Sequence, residues 1–166
     1  MQPIRTSRLI LREFTLDDTA VVLGVLNDPD FIRFVTDRGV RSVAQARAYL
    51  SEGPLASYAR HGHGLWCVER LEDGLALGMC GLIRRDNMPH VDLGYALLQH
   101  ARGQGYAREA AQACLAHGRD VLQLDRVVAY IDPANSASAR VLESLGMRFG
   151  GMVAFPGVAG DTALYE

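Results

Sequence analysis

Hydrophobic positions along the chain recur at two spacings, and the switches between them lay out the elements. From Ser7 to Phe14 they alternate, with Leu9 and Leu11 on one side and Arg8, Ile10 and Arg12 on the other, which predicts a strand. Thr15 reads as an N-cap with Asp17 and Asp18 in the first turn, and Val21, Val22, Val25 and Leu26 follow at helical spacing. Asn27-Asp28-Pro29 ends that helix, because the residue before proline avoids the helical region. A short helix is predicted over 30–35. A longer one is capped by Ser42 and runs to about Tyr58, with Val43, Ala46 and Leu50 on one side. Period-two patterns return at 65–69 and 75–83, joined by Glu72-Asp73-Gly74 as a hairpin. Gly78 and Gly81 inside the second of these imply a bulge or a close approach of other backbone.

The central stretch runs from His90 to Glu109, HVDLGYALLQHARGQGYARE. Val91, Leu93, Tyr95 and Leu97 form a greasy face, and Asp92, Gly94, Ala96 and Leu98 a mostly small one. The small face leaves room either for a molecule beside the strand or for a tightly packed helix. A glycine turn, Arg102 to Ala107, then opens into a helix from Gln104 to about Ala116, stopped by His117-Gly118. Its stripe is Ala107, Ala110, Ala111, Cys114 and Leu115. A strand at 126–131, a helix from the Asn135 cap to Leu145, and strands at 147–155 and 162–165 complete the chain. The order is β-α-α-α-β-β-β-α-β-α-β-β, a mixed α/β fold in one domain spanning 1–166.

The strand–glycine turn–helix unit is chemically suggestive. Glycines let successive N–H groups face one point, and the helix start adds a positive dipole end, so the unit suits a phosphate. A P-loop needs Lys-Ser/Thr after its last glycine, where this chain has Tyr106-Ala107. A dinucleotide fingerprint needs a third small residue, where this chain has Arg108. The pattern Gln/Arg-x-x-Gly-x-Gly/Ala fits, as Arg102-x-x-Gly105-x-Ala107.

On those residues the chain resembles the GCN5-related N-acetyltransferases (GNAT). The resemblance extends through Thr6-x-Arg8-Leu9-x-Leu11-Arg12, Asn27-Asp28-Pro29, Gly78 to Leu82, Leu93-Gly94-Tyr95, Gly103 to Ala110 and Asn135-x-x-Ser138-x-x-Val141-Leu142 up to Met147. It looks like the subgroup related to ribosomal-protein and small-amine acetyltransferases. The resemblance implies a mostly antiparallel sheet of about seven strands, splayed between strands 4 and 5 and flanked by helices. It implies acetyl-CoA as cosubstrate, with the pyrophosphate on the backbone of Arg102, Gly103, Gln104, Gly105, Tyr106 and Ala107. Pantetheine contacts fall to Leu97, Leu98 and Asn135, and Ser138 lies near the sulfur. Many members carry a tyrosine where this chain has Leu142, which makes Ser138 the substitute acid. The implied chemistry is direct attack of an amine in a ternary complex, with the Leu97 N–H on the oxyanion and Ser138 or water protonating the thiolate. Asp92 and His90 are the candidate bases.

Composition narrows the classes further. The chain is 49% apolar and 22% charged with a net charge of −2, which offers no basic surface for nucleic acid or membrane. Nothing reaches the ~20 apolar residues of a span, and no signal architecture opens the chain, so a cytoplasmic monomer or homodimer is expected. Cys67, Cys80 and Cys114 read as reduced core thiols rather than acyl carriers, and His61 and His63 as solvated loop residues, so no metal is expected. The helices over 30–58 and the last hairpin are expected to wall the acceptor pocket, with Phe31, Phe34, Tyr49, Trp66 and Phe155 as candidate lining. The competing class is a non-catalytic acyl-CoA sensor on the same fold, for which the missing tyrosine speaks. A polyamine, an amino acid, an antibiotic and a protein N-terminus all remain open as acceptors.

Overall fold

The computed structural model describes all residues, 1–166. Strands are β1 (Ile4–Arg5), β2 (Leu9–Arg12), β3 (Leu65–Arg70), β4 (Ala76–Ile83), β5 (Val91–Leu97), β6 (Val127–Ile131), β7 (Phe149–Ala154) and β8 (Asp161–Tyr165). Helices are α1 (Thr19–Leu26), α2 (Pro29–Phe34), α3 (Val43–Leu50), α4 (Ala56–His61), α5 (Tyr106–Asp120) and α6 (Ser136–Ser144). The strands form one sheet in the order β1-β2-β3-β4-β5-β6-β8-β7, antiparallel except between β5 and β6.

The parallel pair positions the site. β5 and β6 are in register only at Val91↔Val127 and Asp92↔Val128, and beyond these residues they part. The sheet is therefore splayed between its central strands, as the resemblance implies. The alternation read from the sequence sets the two cores. Val91, Leu93 and Leu97 join Leu9, Leu11, Ala110, Ala111 and Cys114 beneath α5 and α6. Ala96 and Leu98 pack on the opposite face with Val22, Val25, Leu26 and Leu50 of α1 and α3.

The structure differs from expectation at four element boundaries and in the burial of His63, each with a local cause. Residues 4–12 make a hairpin rather than one strand, because the chain turns at Thr6-Ser7 with Thr6 N–H on the Leu9 carbonyl, and an eighth strand results. The first helix begins at Thr19 rather than at Thr15: Asp18 accepts from the Thr15 N–H at 2.7 Å and pairs with Arg12, which holds 15–18 as a turn. The long helix after Ser42 is broken by a π turn over Ser51–Leu55. Pro54 lies inside it and cannot supply a backbone donor. α5 continues through Gly118 to Asp120. Gly118 is there for close approach, since a Cβ would lie 3.0 Å from Leu82 Cδ1. His63 is buried rather than solvated, its Nδ1 2.7 Å from the Leu82 carbonyl oxygen, and burial lowers its pKa.

Both readings of the β4 glycines hold. The β3–β4 register shifts between Val68 and Glu69, opposite Gly78 and Ala76, which is a bulge. Gly81 meets neighbouring backbone: a Cβ would lie 2.0 Å from the Gly64 carbonyl oxygen.

Candidate active site

β5 presents a free backbone edge to the splay. Leu98 N–H donates to the Leu77 carbonyl at 2.8 Å, and the register with β4 is regular from Gly78↔Leu97 to Ile83↔Asp92. In an antiparallel ladder the bonding direction alternates, so Ala96 and Leu98 bond to β4 while Tyr95 and Leu97 turn their backbone groups away from it. β6 pairs only with Val91 and Asp92, so Tyr95 and Leu97 face the gap without a strand partner. The Leu97 carbonyl accepts from Arg102 Nε at 3.1 Å.

Past β5 a 3₁₀ turn (Gln99–Ala101) leads into the exposed glycine loop. Gly103 (φ 74°) and Gly105 (φ 81°) are both left-handed, which lets the N–H groups of the loop converge. Gly105 is the N-cap of α5 and no side chain caps that end. The first N–H groups of the helix are therefore open to an anion.

The loop is braced from both sides. Arg8 Nη1 donates to the Gln104 carbonyl at 2.8 Å, Arg8 Nε pairs with Glu109 at 2.7 Å, and the guanidinium lies over the Tyr106 ring. Glu109 also accepts from Thr6 Oγ1 and from the Arg8 N–H. Burial pushes the Glu109 carboxyl up, but these donors outweigh it and hold it below the usual range. On the other side Arg102 reaches Asp28 at 2.7 Å and Asp30 at 3.0 Å. Asp28 also caps α2 through the N–H groups of Asp30 and Phe31. The side chains of Arg102 and the buried Tyr106 are thus occupied in bracing, and what they offer the loop is backbone.

Asn135 caps α6 by accepting from the Ser138 N–H at 3.1 Å. The Ser138 carbonyl accepts from the Tyr95 hydroxyl at 3.2 Å, a bridge from β5 to α6. Burial pushes the Tyr95 phenol up to about 12, so it stays protonated and donates. Ser138 Oγ bonds neither back to a helix carbonyl nor to Asn135, and lies beside the Tyr95 hydroxyl, whose pKa it pulls down against burial. Leu142 is fully buried.

Asp92 lies on the opposite face, its side chain 4% exposed, and is engaged by Arg85 Nε at 2.9 Å and Nη2 at 3.3 Å. Burial pushes its pKa up, and the Arg85 hydrogen bond and charge offset this only in part. Arg85 also lies over the Phe155 ring. The small face divides: at Gly94 the atoms nearest an added Cβ are side chains of Ile83 and Leu65, sheet neighbours, whereas Ala96 and Leu98 pack against α1. Trp66 is not a pocket residue. It is fully buried in the α5 core, edge-on to His117. The three cysteines are free and buried, and burial pushes the Cys67 thiol up to about 12 and raises that of Cys114 as well.

The sequence reading missed the work of Arg8, Tyr95 and Arg85. Arg8 stood in a noted motif, but its partner lies 101 residues away. Tyr95 looked like one more core position, and only the α6 contact gives its hydroxyl a role.

The splayed sheet thus has an unpaired strand edge that runs into an uncapped, glycine-bent helix start. A family model for the acetyltransferase (GNAT) domain matches residues 8–148. The chain belongs to the GNAT acetyltransferase family. It is 35% identical over 147 residues to the uncharacterised protein YkkB of Bacillus subtilis strain 168, covering 87% of this chain and 84% of that one. Its fold matches an acetyltransferase from Agrobacterium tumefaciens strain C58 with a TM-score of 0.84 at 25% identity, covering 99% and 93% of the two chains. It also matches RimL, a ribosomal L7/L12 alpha-N-protein acetyltransferase in complex with coenzyme A, with a TM-score of 0.74 at 17% identity over 99% and 96%, a likeness of fold. No helix is long and apolar enough to cross a membrane.

Proposed function

We propose that the chain transfers the acetyl group of acetyl-CoA to a primary amine by direct attack in a ternary complex. The observation that carries this reading is the edge of β5 at Tyr95 and Leu97, unpaired over the splay and continuous with the loop at Gly103 and Gly105. An extended arm with two amides pairs with such an edge, and a pyrophosphate suits the N–H groups of 102–107. Leu97 and Asn135 hold the arm, and the Leu97 N–H faces the developing oxyanion; Leu98 drops out of the set, because its N–H is committed to Leu77 and its carbonyl to the Ala101 N–H. Ser138 brings a hydroxyl to the sulfur, with the Tyr95 hydroxyl beside it. An α-amine, with a pKa of about 8, is partly neutral near pH 7 and needs little help from a base. Asp92, whose oxygens are both engaged by Arg85, acts through water if it takes the proton, and His90 is the other candidate. The subgroup that the motifs resemble, acting on ribosomal-protein N-termini and small amines, fits this arrangement.

Thermal unfolding with and without acetyl-CoA tests the reading. Ligand at about 100 times its dissociation constant adds about 2.7 kcal/mol. At roughly 2–4 °C per kcal/mol the Tm of the wild-type chain rises by several degrees. Gly105→Val crowds Arg8 Nη2, 3.3 Å from the new Cβ, and strains a left-handed position. Its own Tm with and without ligand coincide. A full shift in this variant removes the loop from the site, and no shift in the wild type removes acetyl-CoA altogether.

Ser138→Ala leaves the Asn135 cap intact, because the cap uses the Ser138 N–H. Stability changes little and kcat falls about tenfold, below the usual range of about a hundredfold or more for a general acid because a thiolate leaves readily. Steady-state kinetics decide it: an unchanged kcat leaves water as the proton donor.

A further inference from the structure

A cavity of about 370 Å³ lies on the face of the sheet away from α5 and α6, between the α3–α4 segment and the end of β4. Leu65 and Ile83 form part of its wall, and these are the side chains that border the missing Cβ of Gly94. The cavity therefore lies beyond Gly94, behind these two side chains, and Gly94 is three residues before Leu97, roughly 10 Å along the strand. It belongs to neither the loop nor the unpaired strand edge.

Its charge is positive on balance. Arg38, Arg60, Arg84 and Arg85 line it against Glu52 and Asp86. Arg85 is neutralised from behind by Asp92. Arg60 and Asp86 approach only to 3.7 Å and are both largely exposed, a loose pair of little energetic weight. Arg38 and Arg84 line the cavity with no ion pair in the chain. The guanidinium of Arg38 lies above the Tyr49 ring, 5.9 Å from its centroid, and the phenol edges the same cavity. The guanidiniums come from separate segments, the loop before α3 and the chain just past β4, and their forked donors match a carboxylate. A polycation is repelled by the same set.

Resting on the acetyltransferase reading, we propose that this cavity receives an anionic group of the acceptor. The acceptor is then an amine carrying a carboxylate roughly 10 Å from the nitrogen that is acetylated. A peptide α-amine with an acidic side chain at about the third residue has that reach, at ~3.3–3.6 Å per extended residue. A polyamine does not have that charge.

The test is calorimetric titration of the full chain, saturated with coenzyme A, with two peptide amides, Ala-Ala-Glu-Ala and Ala-Ala-Gln-Ala. They share one reacting amine and differ by one charge. The glutamate peptide binds at least tenfold tighter at low salt, and added salt narrows the gap. Arg84→Gln and Arg38→Gln each weaken the glutamate peptide several-fold and leave the glutamine peptide unchanged. Both substitutions are at exposed positions remote from the core, so folding is preserved. Equal affinities, binding of neither peptide, or tighter binding of spermidine overturns the proposal. The acetyl-CoA thermal shift separates the two failures. If it persists while the peptides are not distinguished, only the anionic acceptor is wrong. If it is absent, the transferase reading falls first.

Discussion

Gly81→Ala lowers the stability of the chain by about 3 kcal/mol, the upper part of the range for overpacking. The new Cβ would lie 2.0 Å from the Gly64 carbonyl oxygen and 2.7 Å from Leu65 Cα. Both are backbone atoms, so no rotamer change relieves the contact. β3 has to move off β4, and the Leu82 N–H bond to the Gly64 carbonyl, 3.2 Å long, is strained with it. Gly74→Ala is the control. Gly74 is left-handed (φ 70°) but a Cβ there meets nothing, so only backbone strain of about 1 kcal/mol is added. Urea unfolding of the two variants beside the wild type reads the difference. A Gly81→Ala chain as stable as Gly74→Ala would mean that β3 and β4 do not approach as closely as this.

That close approach was legible as a possibility, because a glycine in the middle of an apolar strand marks either a bulge or a neighbour too near for a side chain. The choice between the two was not legible, since it depends on which backbone lies alongside. The same division runs through the site. Alternation along 91–98 assigned Leu97 to one face and Asp92 to the other, and two glycines announced the turn before α5; these are local properties. The phase of the β4–β5 ladder, which decides that Leu97 rather than Ala96 turns its N–H to the gap, is a pairing property. So are the ties from Arg8 to Glu109 and from Arg102 to Asp28, which join motifs that sequence spacing alone leaves unconnected. Pro54 could have warned against one long helix after Ser42. Gly118 misled in the other direction, because a glycine at a helix end and a glycine under a tight helix crossing look alike in sequence.

Arg85→Met lowers stability at pH 7 by about 3 kcal/mol, the cost of leaving one member of a buried ion pair without its partner. Asp92 is the member left behind, with a side chain 4% exposed. Its pKa in the folded chain is already raised, because burial outweighs the hydrogen bond and charge from Arg85. Removing Arg85 raises it further. An acid whose pKa is higher folded than unfolded binds its proton more tightly in the native state. Stability then falls as pH rises from the unfolded value, about 3.9, through the folded one. The deficit of Arg85→Met is therefore largest near neutrality and shrinks as the pH is lowered toward 4. Asp18 and Glu109 have lowered pKa values and lose their stabilising contribution over the acid range. They do so in both chains, so they cancel in the difference. Denaturant titrations at pH 7 and pH 5 give that difference directly, and a gap that does not change with pH means that Asp92 is not the group left uncompensated. Adding Asp92→Asn to Arg85→Met removes the buried charge and restores most of the loss at pH 7. The same double variant bears on the chemistry. Arg85 ties Asp92 on β5 to the Phe155 ring just beyond β7 and borders the cationic cavity. A chain that regains its stability without regaining turnover gives the pair a part in the reaction itself, through Asp92 as base or through Arg85 on the acceptor side of the site.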